Sequence, residues 1–224
     1  MSVAGDWTDS SIARHARQCY TFATMPEIVF DIETQTADFG FDEAGLKKAR
    51  ISVVVAYDYA DGEYKTFMEE NIAELWPLLE KADRVIGYNI VHFDLPVLNN
   101  YYSGDLLKLP NLDLIIPVKE ALGFRLKLND IAKGTLKTEK SADGLQAVRW
   151  WAEGNVEDIK KYCAVDVQIT KDIYEFGRKN KQLFYNNLQG ALMTFPVNFD
   201  PPMAPVAAPG VPQTQPSLNL TLPL

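Results

Sequence analysis

The chain is poor in sulfur and imidazole, with two cysteines, Cys19 and Cys163, and two histidines, His15 and His92, in 224 residues. Such a set cannot build a disulfide framework or a zinc cluster, and it argues against thiol chemistry. No apolar run approaches the roughly 20 residues that a membrane helix needs. The first 25 residues carry Arg14 and Arg17 with no apolar stretch behind them, so neither a secretory leader nor an anchor is expected and a cytoplasmic location is the default. Positive charge is not in excess either. A net charge of −8 argues against coating nucleic acid through many Lys and Arg contacts to phosphate, while leaving local contact with a strand end open.

What is present is an ordinary globular composition, 47% apolar, 23% charged and 11% aromatic, which excludes wholesale disorder, collagen and coiled coil. The length suits one sizeable core. Residues 1–24 are polar and patternless and read as an N-terminal extension. Residues 196–224 hold eight of the 13 prolines and a single charge, Asp200, which reads as a proline-rich flexible tail. The working domain is expected over 25–185.

Within it, Glu27 to Asp31, Ile51 to Tyr57 and Glu63 to Met68 read as three leading strands, with an Asp61-Gly62 turn between the last two. A helix capped by Asn71 and kinked by Pro77 is expected over 71–82, then a strand over 84–88. Further helices are expected over 92–102, 116–122, 127–133 and 143–152, with a short strand at 112–115. A long amphipathic helix is expected over 156–179. The order implies a mixed central sheet with helices on both faces, an α/β fold. There is no internal repeat.

Three places carry chemistry. Asp31 and Glu33 (D-I-E) lie two apart on the first strand, so both carboxylates face one side, where repulsion is commonly relieved by a divalent cation. Asn89 to Asp94 (N-I-V-H-F-D) follows a later strand; Asp94 also suits an N-cap ahead of Pro96. Tyr162 and Asp166 (Y-C-A-V-D) lie four apart and share one face of the long helix.

In this order and in these elements, the three motifs resemble those of the DEDD exonuclease superfamily, in its tyrosine branch, to which the proofreading domains of B-family DNA polymerases belong. The resemblance covers about residues 25–180. It implies an RNase H-like fold, and it implies that Asp31, Glu33, Asp94 and Asp166 hold two divalent ions, Mg²⁺ or Mn²⁺, with Tyr162 orienting the attacking water. The implied activity is metal-dependent 3′ to 5′ exonuclease release of 5′-mononucleotides from single-stranded DNA ends. Thr34, Asn89, Phe93 and Lys127 are the substrate-side candidates, Asn89 through a hydrogen bond that fixes the Asp94 loop. His92 has no matching role.

From 119 to 140 six basic residues stand against three acidic ones, a stretch that suits phosphate tracking. Trp150 and Trp151 are of a type that stacks on bases, but adjacent aromatics on one helix point different ways and at least one reads as core, while an aromatic of the Phe39 to Phe41 loop could wedge against the terminal base. A role in DNA repair or replication is expected, with a replication or helicase partner docking through the C-terminal tail. Three alternatives share the fold: a 3′ to 5′ exoribonuclease, an inactive nucleic-acid-binding or scaffold module, and an endonuclease without the Y-x-x-x-D element.

Overall fold

Two runs of β-branched residues occupy the middle of the fold, β1 over Glu27–Thr34 and β2 over Ile51–Asp58. Both are buried nearly throughout, as strands covered on two faces must be. The computed structural model describes residues 26–138 and 144–200. β2 pairs antiparallel with β1 and with the more exposed edge strand β3 (Glu63–Met68). The expected turn is present, with Gly62 in the left-handed region at φ 78° and its amide donating to the Asp58 carbonyl. On the other side β4 (Arg84–Gly87) and β5 (Asn111–Asp113) run parallel to β1, giving the order β3-β2-β1-β4-β5. The sheet is mixed, as expected.

Period-2 alternation divides β1 between two cores. Ile28, Phe30 and Ile32 face a cluster that includes Leu75, Leu79, Leu95 and Leu98. Val29 faces the other cluster, where the long helix supplies Ile159, Cys163, Val167, Ile173 and Tyr174. Asp31 and Glu33 share the parity of Val29 and so belong to the long-helix side.

The helices are α1 (Glu43–Leu46), α2 (Trp76–Lys81), α3 (Asp94–Leu98), α4 (Ile115–Leu122), α5 (Leu128–Thr135), α6 (Gly144–Glu153) and α7 (Val156–Asn180). Two of the expected helices differ, and α1 is an addition to them. The segment 71–82 is a 3-10 turn over Glu69–Leu75 followed by α2, with Pro77 in the first turn of α2. Proline is tolerated there because the amide it lacks would have no helical partner. The helix expected over 92–102 is only Asp94–Leu98.

The packed unit runs on past residue 185. β6 (Gln182–Asn186) and β7 (Leu192–Pro196) form a hairpin that sequence reading missed. The Thr135 hydroxyl exchanges hydrogen bonds with the amide and carbonyl of Phe184, both at 2.9 Å, and ties the hairpin to α5. The start of the expected tail is corrected as well. Val197 and Phe199 are buried, and Phe199 lies so close to α7 that a Cβ on Gly177 would stand 2.4 Å from its ring. Proline composition misled because the three residues after Pro196 alternate apolar and polar and can still cover a helix. The expected extension 1–24 and the tail beyond Asp200 lie outside the described residues.

At this end of the sheet Glu27 and Arg84, each 7% exposed by side chain, pair at 2.7 Å. Arg84 also donates to the Phe199 carbonyl at 3.1 Å, and Arg178 and the Tyr174 hydroxyl reach Glu27 from α7.

Candidate metal centre

β1 carries its acidic pair toward its C-terminal end, and α7 crosses that end with Asp166. Carboxylate oxygens of Asp31, Glu33 and Asp166 lie within 4.8 Å of one another, Glu33 and Asp166 buried and Asp31 half-buried. A register shift at Glu33/Thr34 in the pairing with β2 ends the regular ladder just beyond the pair. Bulges of this kind re-aim side chains at the edge of a site.

Asp94 stands beside this trio. It opens α3 at the first helical position rather than as its N-cap, which is Phe93 and makes no side-chain cap bond. Its Oδ1 accepts instead from the amide of Ile32, between the two β1 carboxylates, at 3.3 Å. Burial, and next the charge of Asp31, push its carboxyl well above the ordinary carboxylate range. A capping role is therefore excluded, and Asp94 shares the field of Asp31.

The donor set fits a hard cation: carboxylate oxygens alone, two of the three residues buried, with Asp94 beside them held toward its neutral form by burial and by the charge of Asp31. Cys163 lies among them, its Sγ 3.3 Å from the Asp31 carbonyl. Burial, then the charges of Asp31, Glu33 and Asp166, push this thiol up. It stays protonated and contributes packing rather than a soft ligand.

Tyr162, one helical turn before Asp166, is buried with Trp150 edge-on at 6.1 Å. Trp151 is half-buried against the same core. Phe93 is half-buried between Phe39 and the exposed Phe41, with ring centroids 6.2 Å from each. Thr34 is buried, and its hydroxyl donates to the Thr36 carbonyl at 2.8 Å. Lys127 is exposed at the N-cap of α5, where its carbonyl accepts from the amides of Asp130 and Ile131, and its side chain makes no hydrogen bond or ion pair among the described residues.

Asn89 takes the left-handed conformation at φ 70°. The loop-fixing expected of its side chain falls to another residue, the buried Asp113 at the end of β5. One Asp113 oxygen accepts from the amides of Asn89 at 2.6 Å and Ile115 at 3.2 Å, and the other from that of Val91 at 3.0 Å. Three amides converge on one carboxylate and hold the turn that leads into Asp94. Burial raises the Asp113 carboxyl, while these amides and the nearby His92 hold it back.

The sequence matches the RNase H superfamily over residues 28–176. The chain belongs to that superfamily. The RNase H match bears out the resemblance carried by the three motifs and agrees with the mixed sheet. Among solved structures, the RNase H-like fold is similar to the family B DNA polymerase from the hyperthermophilic archaeon Pyrobaculum calidifontis. The TM-score is 0.55 at 16% identity, over 68% of this chain and 24% of the polymerase. The chain thus spans about a quarter of the polymerase it matches. No curated protein matches. Membership of the RNase H superfamily supports a nuclease-type function directed at nucleic acid, and the acidic cluster supports a divalent cation. Among the described residues no helix is long and apolar enough to cross a membrane.

Proposed function

We propose that the protein is a metal-dependent 3′ to 5′ exonuclease that releases 5′-mononucleotides from single-stranded DNA. The observation that carries this reading is the convergence of Asp31, Glu33 and Asp166 within 4.8 Å, with Asp94 alongside, in an RNase H superfamily domain. Two divalent ions, Mg²⁺ or Mn²⁺, would supply activation of water and neutralisation of the charge that grows on the 3′ oxygen. Asp31, Glu33, Asp94 and Asp166 would hold them. The Tyr162 hydroxyl would accept or donate a hydrogen bond to the attacking water and so orient it. A phenol with its usual pKa near 10 is a poor base at neutral pH. Likeness to a DNA polymerase favours DNA over RNA.

The test is nucleotide release from a 5′-labelled single-stranded DNA in Mg²⁺ or Mn²⁺, beside an EDTA control and matched RNA. A ladder shortening from the 3′ end, absent in EDTA, is expected. Release from RNA alone would replace the substrate, and internal cuts in a circular strand would replace the reaction.

The carboxylates also make stability depend on pH and metal in a defined sense. Asp94 keeps its proton to higher pH in the folded chain than in the unfolded one, so its contribution is full below about pH 4 and is lost as pH rises through the folded value. Melting in EDTA is therefore expected to fall between pH 5 and pH 8, and Mn²⁺ to recover it at pH 8 by binding the charged form. Asp94→Asn should shrink both effects; a variant that keeps them at full size would remove Asp94 as their source.

A further inference from the structure

Beyond the carboxylates, on the side of β5, a cavity of ≈330 Å³ opens between α4 and the turn that leads into Asp94. Its lining includes the apolar Ile115 and Ile116 and the polar His92, Lys119, Glu120 and Arg125. Gly123 ends α4 in the left-handed region at φ 79°, where a residue with a Cβ is strained, and turns the chain back so that Arg125 lines the same cavity as Lys119.

The cations are placed for an anion. Arg125 hydrogen-bonds the side-chain oxygen of Asn89, whose own amide is fixed by Asp113. That is the only hydrogen bond its guanidinium makes among the described residues, and a guanidinium has further N–H donors to offer. Lys119 makes no ion pair or hydrogen bond through its ammonium among the described residues. On the lining the permanent charges of Lys119 and Arg125 outweigh that of Glu120 by one. That balance matches a phosphodiester, which bears one negative charge, better than a free 5′-phosphate, which bears nearly two.

We propose that His92, Lys119 and Arg125 form a subsite for a backbone phosphate of the same single strand, on the 5′ side of the terminal nucleotide at the carboxylates. The placement supports this: His92, on the cavity lining, lies two residues before Asp94, at the end of the turn that leads into it. The subsite rests on the nuclease reading for its strand, but it is tested by binding and not by turnover.

The experiment is fluorescence anisotropy of a labelled eight-nucleotide DNA on the full chain, with Ca²⁺ in place of Mg²⁺ to hold back hydrolysis. Lys119→Ala with Arg125→Ala is expected to weaken binding about tenfold and to flatten the slope of log Kd against log salt by about 0.7, the share of one single-strand phosphate. The charge-keeping pair Lys119→Arg and Arg125→Lys should retain most of the affinity. A neutral methylphosphonate walked along the strand should weaken the wild type at one upstream linkage and leave the double-alanine variant indifferent there. Equal affinity and slope in the double-alanine variant, or no linkage at which the two proteins differ, would overturn the subsite. Displacement of the strand by 5′-dAMP in the wild type but not in that variant would assign the cavity to free nucleotide instead. Binding that follows the expected pattern in a protein that releases no nucleotide in Mg²⁺ would sink the nuclease reading and leave the subsite standing.

Discussion

Asp31→Asn is expected to lower nucleotide release by on the order of 10³-fold while raising the melting temperature in EDTA. The two effects have one source. Asp31 sits in the trio within 4.8 Å, and its charge is, after burial, what pushes Asp94 up. An amide keeps the shape of the side chain and removes that charge, so repulsion among the remaining carboxylates falls. Each kcal/mol relieved moves the midpoint of a domain this size by about 2–4 °C. Groups held together for function against their own repulsion commonly give this trade of activity for stability. Paired melting and release measurements on one preparation decide it. Release within tenfold of the wild type, or a lower melting temperature, would show that Asp31 has some other part.

The largest loss of stability is expected at the opposite end of β1. Glu27→Ala removes the acceptor shared by Arg84, Arg178 and Tyr174 and leaves two guanidinium groups facing each other across Tyr174, Arg84 nearly dry. Removing one partner of a buried pair costs about 3–5 kcal/mol, because the charge left behind has lost its water as well as its partner. Arg84 also holds the Phe199 carbonyl, so the 197–199 segment should loosen with it. Urea unfolding should show a lower midpoint with little change in slope. Glu43→Ala, which breaks the Lys47 pair whose side chains are 67% and 86% exposed, should leave the midpoint where it was. Equal midpoints for the two variants would mean that the buried cluster contributes no more than a surface pair.

The chemistry-bearing residues were legible because each sits in a regular element. Alternation put Asp31 and Glu33 on one side of a strand, and four-residue spacing put Tyr162 and Asp166 on one side of a helix. Asp94 was legible as part of a motif but not in its local role, since Asp before Leu-Pro reads equally as a cap. Only the fold brings the Ile32 amide, 62 residues away in sequence, to its carboxylate. Asp113 was missed for a similar reason. A short strand ending in Asp has no pattern of its own, and its three amide partners lie in the 88–93 turn and at the start of α4. The β6–β7 hairpin did leave a trace, Asn186 and Asn187 followed by Gly190 between apolar runs. The proline-rich composition that begins at Pro196 masks it. The pairing of Glu27 with Arg84 left none, because charges 57 residues apart carry no local signal.

β1 and α7 are joined at two points. Glu27 meets Tyr174 and Arg178 at one, and Asp31 meets Cys163 and Asp166 at the other. Strand and helix run in opposite directions between them, so together they act as a strut of fixed length. A residue inserted in α7 between Asp166 and Tyr174 would swing one junction about 100° around the helix relative to the other, given 3.6 residues per turn. Either the acidic trio or the Glu27 cluster would then have to come apart. This span of the chain can accept changes of side chain far more readily than a change in the number of its residues.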